Sequence, residues 1–165
     1  MQTTQIILKK SQEIIRVLNE LNIQFAKLSA QKTESLWIDL FKKYVENGEI
    51  YLYPEKDFPF PIWEVLKIEG FTDFQVTNAW KEYGKILDGQ EVILFFEPLE
   101  ELEMIYLSDG KDVSTILSEA YTMIPYITNP SLSFLFYYND HDFLIVGGEG
   151  LDLIKKANVN FEILD

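Results

Sequence analysis

Residues 131–148 read SLSFLFYYNDHDFLIVGG: two apolar runs, Ser131 to Tyr138 and Asp142 to Val146, joined by Asn139-Asp140-His141. Aromatic and β-branched residues flanking a short connection rich in turn formers predict two antiparallel strands in a hairpin. Such a pair belongs to an antiparallel sheet, and the rest of the chain is read against it.

Upstream, Glu91-Val92-Ile93-Leu94-Phe95-Phe96 is a nearly continuous apolar run introduced by Asp88-Gly89, the pattern of a central strand covered on both faces. Met104 to Leu107 predicts another strand, closed by Ser108-Asp109-Gly110, after which Asp112 or Ser114 can cap a helix reaching about Met123. Pro125 and Pro130 end that helix. Beyond the hairpin, Gly147-Gly148-Glu149-Gly150 predicts a strand-to-helix turn needing positive φ, then a short helix over Leu151 to Ala157 and a last strand over Val159 to Leu164.

The N-terminal half is more helical. Ile7, Ile14, Ile15, Leu18 and Leu21 recur at helical spacing and predict a helix over about residues 4–22. A second is expected over 33–46, with Thr33 as N-cap and Asn47-Gly48 as its stop. Glu49 to Tyr53 alternates as a strand, Phe58-Pro59-Phe60-Pro61 reads as a rigid crossing loop, and residues 73–83 read as a helix holding Phe74, Val76, Trp80 and Tyr83. The expected fold is therefore α+β over residues 1–165 as a single domain. It has a mainly antiparallel sheet of about five or six strands, the two N-terminal helices on one face, and shorter helices interspersed.

Charge is the second strong signal. The chain has a formal net charge of −13, and residues 1–48 are near balance, with seven Lys/Arg against five Asp/Glu. Between Lys85 and Lys155 stand thirteen carboxylates and a single basic residue, Lys111. A field of that sign disfavours nucleic-acid binding through phosphates, because affinity there comes from cations that neutralise the backbone. A charged partner is instead expected to be basic. With 47% hydrophobic and 15% aromatic residues, the acid coats a folded body and is no disordered tail. The absence of cysteine removes disulfides and thiol chemistry, and the N-terminus shows no basic-then-apolar order of a secretion signal. No apolar run approaches membrane-spanning length, so a cytoplasmic protein without membrane contact is expected.

No motif specifies a reaction, and neither a cofactor nor a metal is expected. His141 is the only histidine; Asp140 and Asp142 beside it can hold it as a general base, the three can bind a metal, or they can stand as a polar hairpin loop, the reading preferred here. The glycine-rich turn lacks the lysine and Ser/Thr of a phosphate loop and puts Glu149 where phosphate would approach. Glu97, Glu100, Glu101 and Glu103 concentrate carboxylates without the spacing or glycine of a calcium loop. Tyr137 and Tyr138 point to opposite faces of a strand, which leaves one ring, Tyr138 in the candidate set, free beside the turn acids.

Aromatic anchors ringed by carboxylates suit capture of a basic protein surface. The candidate binding residues are thus Glu97, Glu100, Glu101, Glu103, Tyr138, Asp140, His141 and Asp142. In overall character the chain resembles small, acidic, cysteine-free α+β inhibitors, which implies a non-enzymatic binding module of the inhibitor or immunity type. The alternatives are a small enzyme using His141 with nearby carboxylates, and a DNA mimic whose acids imitate a phosphate ladder. Exposed strand edges or aromatics also allow a homodimer.

Overall fold

The computed structural model describes residues 9–48, 61–98, 100–120 and 124–161. They form a seven-stranded antiparallel sheet between two layers of helix. In chain order the elements are α1 (Lys10–Glu20), β1 (Ala26–Lys27), α2 (Ala30–Tyr44), β2 (Phe71–Gln75), α3 (Tyr83–Ile86), β3 (Val92–Phe95), β4 (Met104–Leu107), α4 (Val113–Glu119), β5 (Tyr126–Thr128), β6 (Phe134–Tyr138), β7 (Phe143–Gly148) and α5 (Gly150–Lys156). Short 3-10 turns at Ile62–Glu64, Ala79–Glu82 and Gly110–Asp112 link some of them. The strand order is β1-β4-β3-β5-β6-β7-β2. The α+β class and the β6–β7 hairpin are as expected, and the sheet is larger than expected.

Period-two alternation assigns each strand residue to a layer. On β3, Val92 and Leu94 pack with Ile14, Val17 and Leu18 of α1, while Ile93 and Phe95 pack with Trp37, Leu40 and Phe41 of α2. All four β3 residues are buried, as its uninterrupted apolar run predicts. The expectation that both N-terminal helices share one face is thus corrected: α1, with α3, α4 and α5, covers one side, and α2 covers the other. Each helix carries its own apolar stripe, and two stripes need two sheet faces. On the α2 side an aromatic ladder runs from Trp37 edge-on to Phe95 at 5.1 Å, through Tyr126, to Tyr137 stacked on Tyr126 at 4.0 Å. Truncating a ring so placed costs about 3–5 kcal/mol.

Several local expectations change. Ser29, not Thr33, caps α2, its hydroxyl accepting from Lys32 N at 3.2 Å, and Thr33 lies buried within the helix. The expected stop at Asn47-Gly48 comes too late: α2 ends at Tyr44, where Val45 turns extended and bridges to Leu66, and the left-handed Asn47, at φ 54, belongs to the turn that follows. Residues 73–75, expected as the start of a helix over 73–83, belong instead to edge strand β2, because a five-residue ladder with β7 outweighs the weak helical spacing. Only the following 79–86 stretch is helical. Between the two prolines lies β5, where a simple helix stop was expected, and α4 is assigned only to Glu119. Val159 to Phe161 is not strand. The expected strand at 49–53, residues 58–60 of the proline loop, the ends of the first helix and last strand at 4–8 and 162–164, and Met123 lie outside the described residues.

At the glycine-rich turn, Gly148 has φ 62, and a Cβ there would stand 2.3 Å from the Ser133 carbonyl oxygen. The residue is required by backbone geometry and close approach, as its sequence context suggests. Gly147 lies beneath the ring of its cross-strand partner Phe71, which fills the place of the missing side chain.

Candidate functional site

Strand register settles which acids share an end of the sheet. Phe95 pairs with both Met104 and Tyr126, Ile127 pairs with Phe136, and Tyr138 pairs with Leu144. The end of β3, the starts of β4 and β5, the end of β6 and the start of β7 therefore meet at one edge, called the upper end. It gathers the 97–103 connection and the 139–142 turn. The third acidic group, Asp109 and Asp112 after β4, lies at the opposite end, where Asp109 Oδ1 accepts from Gly89 N at 3.0 Å and Lys111 N at 2.9 Å.

The 97–103 connection is occupied structurally. The N-cap of helix α1 is Lys9, a residue without a capping oxygen, so the first amides of the helix need acceptors from elsewhere. Glu101 Oε1 accepts from Ser11 N at 2.8 Å, and Glu103 Oε2 accepts from the Ser11 hydroxyl at 2.8 Å. Two carboxylates also sit favourably at the positive end of the helix dipole. Glu100 pairs with Lys10 at 2.8 Å, and Glu103 pairs with Lys27 at 3.1 Å and Lys9 at 3.7 Å. From the other layer, Trp37 Nε1 donates to the Leu102 carbonyl at 2.9 Å. Glu97 accepts from Ile62 N at 2.9 Å and from the Tyr126 hydroxyl. One acidic connection thereby ties α1, α2 and the residue 62 segment to the sheet.

Burial dominates the electrostatics of two of these acids. It pushes Glu97 above the ordinary carboxylate range against the bonds from Tyr126 and Ile62, and it pushes Glu101 up against those from Ser11. Partial burial also pulls Glu103 upward, but Ser11 and Lys27 outweigh it and hold that carboxyl low. The Tyr137 hydroxyl, pushed up to about 12 chiefly by burial, also feels Glu97, Asp140 and Glu100, so charges from both upper-end segments act on a single group.

The 139–142 turn is built differently. Asn139 is buried, and its side-chain oxygen accepts from His141 N at 3.0 Å and Phe143 N at 3.1 Å. Asp142 takes the left-handed conformation at φ 61, which a short polar side chain tolerates. Tyr138 is only 4% exposed, so it is no free aromatic anchor. Its hydroxyl accepts from Asn78 N at 2.9 Å and donates to Asp142 Oδ1, fixing that carboxylate; burial first, then Asp142, pushes the phenol up to about 12. The Asp140 and His141 side chains are 90% and 73% exposed, with Nε2 3.6 Å from Oδ1. Among the described residues neither Asp140 nor Asp142 has a Lys or Arg partner, and no group of acids and histidine is arranged to hold a metal.

Two clefts flank this turn, with Asn139 shared by both. One, of about 450 Å³, has Trp80, Leu117, Ile124, Tyr138, Asp140 and Asp142 in its walls. The other, of about 580 Å³, lies on the α2 side and includes Trp63, Phe71, Ile68 and Phe143. Ile68 is 93% exposed and Phe143 36%. Sequence reasoning missed both. Phe143 reads as one more apolar strand residue, and Ile68 sits between charges without a period to place it.

Comparison with known families, characterised proteins and solved structures gives no match for this chain. No helix among the described residues is long and apolar enough to cross a membrane.

Proposed function

We propose that this chain is a non-enzymatic protein-binding module that offers the upper end of its sheet to a basic protein surface. The supporting observation is the turn itself: Asp140 and Asp142 stand without Lys or Arg partners beside the exposed apolar Phe143 and Ile68. Apolar anchors supply area on binding, and unpaired acid supplies steering and register. An inhibitor or immunity-type protein that masks the cationic site of a nuclease-like toxin fits this description. Glu97, Glu101 and Glu103 belong to the scaffold in this reading, and Glu100, Asp140, His141 and Asp142 to the contact surface. The enzyme alternative gains nothing specific, since His141 and the Asp140 carboxylate 3.6 Å from it are both displayed to solvent on a turn. The DNA-mimic alternative needs an unbroken row of acid, whereas the carboxylates here divide between two ends.

The test uses a photo-crosslinking residue at position 143 to capture the partner in its native extract, followed by binding kinetics with that purified partner. The expected result is a basic partner whose association rate falls steeply as salt rises, with screening acting over about 10 Å at 0.1 M. Asp140→Lys should slow association about tenfold, and Asp152→Lys on α5 should not. Equal effects from both, or a rate indifferent to salt, would remove the upper end as the contact surface.

A further inference from the structure

We infer that the 450 Å³ cleft between the β6–β7 turn and α4 receives a single guanidinium-bearing side chain, an arginine of the partner. The inference rests on the binding-module reading and adds the chemistry of the anchor. Trp80 supplies aromatic surface, Leu117 and Ile124 supply aliphatic surface, and Asp140 and Asp142 supply charge, with the buried Tyr138 holding Asp142 from below. No lysine, arginine or histidine is among the described residues of its walls, and neither Asp140 nor Asp142 has a Lys or Arg partner there. A concave site of that make-up excludes an anion and offers little to a neutral polar group. It suits a cation with a long apolar stem.

The geometry favours guanidinium over ammonium. Asp142 is held in place: its backbone sits at φ 61, and the Tyr138 hydroxyl binds Oδ1 while itself anchored by Asn78 N at 2.9 Å. That leaves Oδ2 as a fixed acceptor, with the Asp140 carboxylate nearby at the rim. A planar fork can engage fixed acceptors while its face stacks on the Trp80 indole, which a hydrated ammonium does less well. Trp80 already draws a cation: Lys81 Nζ lies 5.8 Å from its ring centroid. Holding Asp142 rigid in advance reduces the ordering cost of binding.

The probe is N-acetyl-arginine methylamide, with its lysine and citrulline counterparts, titrated into the isotope-labelled full chain and followed by amide and indole shifts. The arginine probe should saturate shifts at the Trp80 indole N–H and the Asn78 and Asn139 amides, the lysine probe should bind more weakly, and neutral citrulline should leave them unmoved. Asp142→Asn keeps an acceptor for Tyr138 and should weaken arginine about tenfold, as loss of one charge-assisted contact implies. Ser118→Lys, at an exposed position on α4 beside the cleft, places a tethered cation at its mouth and should block the probe without touching the turn. Equal binding of citrulline and arginine, or arginine shifts centred on Asp88 and Asp109, would overturn the assignment, as would full arginine binding by Ser118→Lys. A partner that binds through the upper end but is indifferent to Ser118→Lys would sink the cleft and leave the binding module standing. An intact arginine titration with no salt-dependent partner would do the opposite.

Discussion

Glu101 shows how one side chain can serve a helix that lies ninety positions earlier in the chain. It is almost fully buried, yet it accepts the Ser11 amide that Lys9 cannot cap. Removing the acceptor with Glu101→Ala should lower the unfolding free energy by about 1–2 kcal/mol, the usual loss for a helix cap. Glu101→Gln keeps a carbonyl for Ser11 and discards the cost of ionising a buried carboxyl, so urea denaturation at neutral pH should show a clearly smaller loss. Equal losses would mean that charge, and not the cap, carries the effect. The acid of the 97–103 connection is legible in sequence, but its use is not, because nothing local links it to Ser11. Reversing Glu101 or Glu103 would therefore disturb α1 before it reported on any partner. Asp140 is the informative position for binding.

Among the elements, the hairpin and the β3 core strand are readable because their patterns are local and unambiguous. Strand β2 is not: Phe71-Thr72-Asp73-Phe74-Gln75 supports several readings until β7 supplies its ladder. Strand β5 is three residues between prolines, too short for periodicity to register. As the last strand of the sheet, β2 has no second neighbour among the described residues, and its central Asp73 is exposed. A charge there discourages another copy from pairing with the open edge. Asp73→Val should therefore promote self-association, seen as a concentration-dependent rise in sedimentation coefficient. A monomeric variant at every concentration would show that the edge is protected by something other than this charge.

For the molecule as a whole, the two buried carboxyls set the direction of pH dependence. Glu97 and Glu101 titrate above their ordinary value in the folded state, so the native protein holds more protons than the unfolded chain across that window. Stability must then fall as pH rises through it, and mild acidification must raise it. Relief of repulsion within a net charge of −13 acts in the same sense. Glu103, Glu13 and Asp109 are held low and lose their stabilising partners only in stronger acid. The melting temperature should rise on mild acidification from neutral pH and fall again in stronger acid; a steady fall from neutral pH downward in calorimetry would contradict the burial of Glu97 and Glu101.

The order of strands also bears on how the protein is made. Among the described residues, the two strands that emerge first, β1 and β2, take the outer edges, while the interior strands β3 to β7 all come from residues 92–148. During synthesis, α1 and α2 leave the ribosome with their apolar faces formed and no sheet to receive them. At about 5–20 residues per second, that interval lasts on the order of ten seconds. Trp37, Leu40 and Phe41 thus stay without their packing partners on the nascent chain until Phe95 and Tyr126 arrive, which makes translation an aggregation-prone moment in the life of this chain.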